Sequence, residues 1–389
     1  MSAPLLHALK AGIDAVLPDA AALRRAIHVD PQLSGEEGPT RDLLTRSLNW
    51  MDWSPAAGTG AWARIGPDGA AVGLRAELDA LPVIEATGVE WESRREGVAH
   101  ACGHDVHMAA LWAVLTAARR LELPVGMVPI LQPREEITPP GAGDVVRSGL
   151  LDEQKIEAML GVHVQPQVDR GIVSTGAGAV NAAYDSFEIV VHGRPGHGAY
   201  PHVAVDPITT LATIIGELSS LPQRLVSPTN PTVVSVGQIT GGTAHNVIAS
   251  EASCRGSIRT YSEPDRTRLH EAITRMATAV AESRGAQATT RFVRGGPALV
   301  NDPGLVRRMD PLLREMGVTV AENPFRSCGS DDFAEYGHAA ASVMCFVGTG
   351  RVDGVGLHHG AFLPGREALQ LCAHAYAAGY VAAAGLLAG

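Results

Sequence analysis

His100-Ala101-Cys102-Gly103-His104-Asp105-Val106-His107 packs three imidazoles, one thiol and one carboxylate into eight residues. Cys and His at this density are a compositional cue for a transition-metal site. The spacing Cys102-x-His104 lets both side chains leave one side of an extended loop, because residues i and i+2 share a face in strand-like backbone. Residues 108–121, rich in Ala, Leu and Val, read as a helix that anchors the loop. A His-rich surface loop is the competing reading of the octet alone, so its surroundings have to decide.

Working outward, residues 70–75 read as a strand followed by an acidic turn that carries Glu77 and Asp79. Residues 126–131 form a short apolar run bounded by proline, as a buried strand requires, and lead into Gln132-Pro133-Arg134-Glu135-Glu136. A second such run, 156–164, carries His163 near its end. Strands alternating with helices predict an α/β layer with a mostly parallel sheet, whose sites gather at the carboxyl ends of the strands. The amino-terminal residues 3–50 read as helical, with turns at 17–19 and 28–35.

Near Asn181 the pattern changes. Residues 184–192 alternate like a half-exposed strand, and a helix at 206–221, strands at 231–239 and 252–259 and an amphipathic helix at 264–284 follow. This predicts an α+β module over 181–293, inserted in a catalytic domain formed by 1–180 and 294–389. The α/β style then resumes with a helix at 304–316, a strand at 341–347 and the turn Gly356-Leu357-His358-His359.

At 389 residues the chain exceeds one ordinary domain, and 46% apolar with 19% charged residues describes a full globular core. A net charge of −10 argues against nucleic acid or an anionic membrane as partner. The five cysteines are scattered and odd in number, which points to reduced cytoplasm rather than a disulfide framework. No basic region followed by an apolar core marks a signal peptide at the start. Residues 368–388 are mostly Ala but include Gln370, His374 and Tyr376, so they read as a buried helix rather than a membrane span.

Five candidate ligands sit at element ends: Cys102, His104, Glu136, His163 and His358. Three or four would hold one zinc with a position left for water; five permit two metals ~3.5–4 Å apart. Successive side chains of extended backbone diverge, so Glu135 and Glu136 are expected to divide the work, one ligating and the other acting as general base. Asp79 and Asp105 are the expected outer partners that orient the imidazoles, with a helix-capping role as the alternative for Asp105.

His100 to His107, Gln132-Pro-Arg-Glu-Glu136, Gly161-Val-His163, Gly241-Gly-Thr-Ala-His-Asn246 and Gly329-Ser-Asp-Asp-Phe333 together resemble the M20 metallopeptidase superfamily. The resemblance is closest to its amidohydrolase branch of hippurate hydrolases, N-acyl-amino-acid deacylases and auxin-conjugate hydrolases, and it covers nearly the whole chain. It implies a zinc-exopeptidase-like catalytic domain and a ferredoxin-like lid that mediates homodimerisation. It also implies Cys102, His104, Glu136, His163 and His358 as ligands of two divalent metals (Zn, Mn, Co or Ni), with Glu135 as the base. By the same resemblance His197 reaches the partner subunit's site as an oxyanion donor, and Asn246 and Arg259 grip the substrate carboxylate.

The expected activity is hydrolysis of the amide in an N-acyl amino acid. A dipeptidase or aminopeptidase of the same superfamily, or a silent homologue that only holds metal or ligand, are the alternatives. The sequence departs from the family pattern at Val106, usually Gly; at Arg134, usually a small residue; and at Glu77, usually Asp. The proline often found after the metal histidine is missing from His358-His359-Gly360, so His359 competes with His358. Val106 is expected to crowd the metal loop or narrow the cleft.

Overall fold

Three apolar runs dictate the sheet that carries the site. Strands β1 (Ala71–Glu77) and β2 (Gly126–Gln132) are buried at every position, and β3 (Ile156–Gln165) at all but Glu157. Burial on both faces is what central parallel strands need, which is why these runs do not alternate. β1 pairs in parallel with both β2 and β3, and β3 with Ala341–Gly348. Ser54–Ala56 and Gly60–Trp62 extend the sheet antiparallel beyond β2, and Ile172–Ser174 and Thr319–Val320 close its other edge, giving eight strands.

The structure is a computed structural model that describes residues 2–351 and 354–387. They fall into two compact units, one made of residues up to 178, 300–325 and those after 331, the other of 179–299 and 326–331.

In the first unit, α1 (Ser2–Val29), α2 (His104–Ala118) and the carboxy-terminal helix Arg366–Leu387 pack on one another. Helix α1 runs without a break through Leu17-Pro18-Asp19, where the sequence predicts a turn. An interior proline costs a helix roughly 3 kcal/mol. Leu6, Leu9, Ile13 and Ile27 are fully buried on either side of Pro18, and each such side chain contributes about 1.5–3 kcal/mol, so packing wins. The carboxy-terminal helix is buried along most of its length, and its Tyr380 hydroxyl donates to the Val125 carbonyl at 2.7 Å. Among the described residues no helix is long and apolar enough to cross a membrane.

The second unit follows the order β4 (Ala183–His192), α3 (Pro207–Leu225), β5 (Thr232–Gly241), β6 (Glu251–Thr260), α4 (Glu263–Ser283) and β7 (Gln287–Arg294). This is the β-α-β-β-α-β succession of ferredoxin-like folds, with antiparallel strands in the order β5-β6-β4-β7. Phe187, Ile189 and Val191 alternate inward along β4 and meet Leu211, Ile214, Leu218, Leu269 and Ile273 of the two helices. Both helices start where their caps dictate: Asp206 accepts from the Ile208 N–H at 2.9 Å, and Ser262 from that of Asp265 at 3.3 Å. Strand β7 is absent from the sequence-based reading because its apolar residues do not alternate cleanly, with Thr290 facing in and Val293 out, and it lies at a sheet edge. Residues 326–331 were expected in the catalytic domain; they pack with the second unit, where the Ser327 N–H donates to the Val180 carbonyl at 2.9 Å.

Candidate metal centre

The octet is a tight corner rather than an extended loop. Gly103 has φ 84°, and a Cβ there would lie 2.4 Å from Val164 Cγ2, so both the turn and the close approach require glycine. Helix α2 begins at His104, four residues earlier than the sequence predicts, so Cys102 and His104 converge across a corner and not along one face of a strand. Val106 is fully buried in the core of the first unit, not facing a cleft as expected.

The tautomers of two imidazoles follow from their partners. His104 Nδ1 lies 2.8 Å from the Asp79 carbonyl oxygen, and His163 Nδ1 lies 2.7 Å from that of Val164. A carbonyl only accepts, so Nδ1 carries a proton in each ring and Nε2 is the nitrogen turned to the cluster. His163 Nε2 faces Cys102 Sγ at 3.4 Å, and His104 Nε2 faces the Glu135 and Glu136 carboxylates at 3.9 Å each. His358 Nε2 is 3.4 Å from Glu136 Oε1, while its backbone N–H ties the loop to the Ala101 carbonyl at 2.9 Å. His359 Nδ1 instead accepts from the Ala361 N–H at 3.1 Å, so His358 is the imidazole that meets the cluster.

Ligand atoms of Cys102, His104 and His163, of Cys102, Glu136 and His358, and of His104, Glu135 and Glu136 lie within 4.8 Å of one another in each group. The residues fit divalent metal on a direct observation: His104 Nε2 and Glu136 Oε1 are buried without a hydrogen-bond partner and point into the same cluster. Orphaned buried polar atoms are costly, and a shared cation is what a thiol, imidazoles and carboxylates in this arrangement can satisfy together.

The glutamate pair does not diverge as expected. Arg134 takes φ 56°, which turns the chain so that both carboxylates lie equally far from His104 Nε2. A non-glycine residue there costs on the order of 1–3 kcal/mol and persists only when its surroundings enforce it. The Arg134 guanidinium pairs with Asp144 and reaches the Pro139 carbonyl at 3.2 Å.

Burial and charge set the protonation states. Burial pushes the Cys102 thiol well above its usual range, and the Glu136 charge adds to the rise. Burial opposes a charged His104, but the Asp79 carboxyl outweighs it and the ring's pKa ends well above the usual value. For Asp79, burial is outweighed by the nearby His104 ring, the Glu136 N–H and the Ser34 hydroxyl, and the pKa falls to about 2. Burial likewise fails to neutralise Glu136, whose pKa is lowered by His358 and His104.

Of the two expected outer partners, Asp79 holds His104 and Asp105 does not reach a candidate ligand. Asp79 meets His104 through its backbone oxygen at 2.8 Å and its carboxylate at 3.6 Å, and that carboxylate also takes the Ser34 hydroxyl at 2.7 Å and the Glu136 N–H at 2.9 Å. Asp105 touches no candidate ligand and caps nothing; it accepts from Arg24 at 2.8 Å and His28 at 3.0 Å. Glu77 pairs with Arg75 and accepts from His107 Nδ1 at 2.9 Å. Sequence reading missed His28, Ser34, Glu37, Glu85 and His107 as supports; the signals at hand were the 28–35 turn for His28 and Ser34 and the octet for His107.

In the second unit His197 and Asn246 are exposed neighbours: His197 pairs with Val247, and the Gly198 N–H donates to the Asn246 carbonyl at 2.8 Å. Arg259 lies opposite Tyr184 in the sheet, with its guanidinium 4.9 Å from that ring's centroid and Nη1 donating to the Cys328 carbonyl at 2.8 Å. It is therefore a held, half-buried guanidinium and not a loose surface arginine.

The family model for peptidase family M20/M25/M40 matches residues 73–379. The chain is 32% identical over 366 residues to an N-acetylcysteine deacetylase of Bacillus subtilis, covering 91% of this chain and 94% of that protein. It is 34% identical over 300 residues to an N-acyl-L-amino acid amidohydrolase of Geobacillus stearothermophilus, covering 75% and 80%. A solved dinuclear metal-binding peptidase of the M20 family from Bacillus subtilis superposes with a TM-score of 0.84 at 30% identity, over 95% of this chain and 98% of that one.

Proposed function

The chain belongs to peptidase family M20/M25/M40, and on that premise we propose that it is a binuclear metal-dependent amidohydrolase that removes the acyl group from N-acyl amino acids. The names of the two amidohydrolase relatives support this substrate class. The observation that carries the reading is the placement of two carboxylates against one imidazole, Glu136 grouped with Cys102 and His358 while Glu135 stands beside it at His104.

Cys102, His104, Glu136, His163 and His358 would hold two divalent cations, of which Zn, Mn, Co and Ni suit the donor set. When bound, such a pair polarises the amide carbonyl and makes water acidic near neutral pH. Glu135 takes the proton of the attacking water, whose oxygen forms the new bond to the acyl carbon. It delivers that proton to the amine nitrogen as the C–N bond breaks, leaving a carboxylic acid and an amino acid.

Asn246 and Arg259 would bind the substrate carboxylate, for which a guanidinium fork is matched. His197 would serve the oxyanion in the site of a second copy, with the second unit as lid and dimer contact. Among the described residues all five cysteines are unpaired, which favours the reduced cytoplasm as the location.

The test is amine release from N-acetyl, N-benzoyl and long-acyl amino acids and from dipeptides, with protein reconstituted separately with Zn, Mn and Co. Glu135→Gln is expected to bind metal as the parent does and to lose turnover by at least a hundredfold, in the range of general-base contributions of ~10²–10⁴. Full activity of that variant sinks Glu135 as the base. Preference for dipeptides moves the assignment to a peptidase of the same family.

A further inference from the structure

We propose that Glu37, which immediately precedes the helix Gly38–Ser47, is a positioning residue that holds the Glu135–Glu136 turn in its working shape. The proposal rests on the reading of Glu135 as base. Glu37 is fully buried, yet its carboxylate meets neither a lysine nor an arginine side chain in any hydrogen bond or ion pair found among the described residues. Its Oε1 accepts the backbone N–H of Arg134 at 2.9 Å and that of Gly35 at 2.8 Å, and its Oε2 accepts the Thr59 hydroxyl at 2.5 Å. A buried carboxylate given over to backbone N–H groups serves to place backbone.

What it places is the residue that aims the glutamates. Arg134 stands at φ 56°, a conformation that only an over-determined surrounding keeps for a side chain with Cβ. Both of its backbone groups are tied: the N–H to Glu37, and the carbonyl to the Gly141 N–H at 2.9 Å. Two residues on, the Glu136 N–H is held by Asp79 Oδ2 at 2.9 Å. Glu135 is thus bracketed by two anchored peptide groups, one fixed by Glu37 and the other by Asp79. The anchor depends on where an acceptor oxygen stands and not on its charge, because both Oε1 bonds come from neutral N–H groups.

That distinction gives the test. Glu37→Gln keeps an oxygen at Oε1 and turns an amide towards Thr59, whose hydroxyl can accept. Glu37→Asp keeps the charge but draws the oxygen back by one carbon. With metal-reconstituted protein, Glu37→Asp is expected to lower kcat on the order of a hundredfold, the scale of a 1 Å misplacement. Its KM and metal content stay at the parent's values, while Glu37→Gln retains most of kcat. Amide hydrogen exchange is the second readout: exchange at 134–136 accelerates in Glu37→Asp and not in Glu37→Gln.

A fall in Glu37→Gln as deep as in Glu37→Asp, or unchanged exchange in Glu37→Asp, overturns the proposal. Accelerated exchange in Glu37→Asp, combined with full activity in Glu135→Gln, keeps the anchor and discards the base.

Discussion

His107 Nε2 accepts the backbone N–H of Val164 at 3.0 Å, so the last imidazole of the octet holds the strand that carries His163 instead of facing the metal cluster. Its Nδ1 proton goes to Glu77 Oε2 at 2.9 Å, and Glu77 pairs with the buried Arg75. Glu77, where the family pattern has Asp, therefore sets a tautomer at one remove from His163.

His107→Ala leaves all five candidate ligands in place but releases Val164 and Glu77. Losing such an outer partner typically weakens metal binding about ten- to a hundredfold. Chelator competition against the parent protein measures it, and unchanged affinity would show that β3 holds its course without the imidazole.

His28 gives a stability that depends on pH. Its ring stands between Asp105 Oδ2 at 3.0 Å and Glu85 Oε1 at 2.9 Å. Burial opposes the charged ring, but the two carboxylates outweigh it and the folded pKa is raised. The unfolded value is about 6.5, so the stabilisation is fully present below that pH and is lost as the pH rises through the folded value. Melting temperatures of the parent and His28→Gln, compared across pH, should differ most on the acid side of 6.5 and converge at alkaline pH. A gap that widens with rising pH contradicts this.

Asp185 organises the second unit from β4. Its buried carboxylate accepts from Arg266 Nε at 2.8 Å, His270 Nε2 at 2.7 Å and the Gly295 N–H at 3.0 Å. Burial alone would raise its pKa; Arg266 turns the shift downward. Asp185→Asn leaves the buried Arg266 with only the exposed Glu263, at 3.2 Å, as counter-charge, a loss of up to about 3–5 kcal/mol by the usual cost of breaking a buried pair. Hydrogen exchange of β4, β6 and α4 reads it locally, and protection equal to the parent's would sink the assignment.

Much of the first unit was legible because its strands are buried on both faces: unbroken apolar runs such as 126–131 announce themselves without any knowledge of neighbours. Strand β7 was not legible, since an edge strand with Thr290 facing in and Val293 out has neither an unbroken apolar run nor a clean alternation. The continuity of α1 through Pro18 was hidden too, because local preference breaks a helix there and only packing against α2 and the carboxy-terminal helix restores it. Membership in the family was legible from motifs, since chemistry keeps Cys-x-His and Glu-Glu at short spacing.

Residue type and local order by themselves determined which chemistry the chain can host: a dense Cys/His corner, a glutamate pair at a strand end, and an inserted module with its own alternation. Tertiary structure alone decided orientation. Which nitrogen of His104 meets the cluster depends on a carbonyl 25 residues away, and the convergence of Glu135 and Glu136 depends on a left-handed Arg134 whose N–H is held by Glu37, 97 residues distant. Spacing along a chain specifies side chains and their order, whereas tautomers and strained dihedrals are set by partners that only folding brings within hydrogen-bond distance.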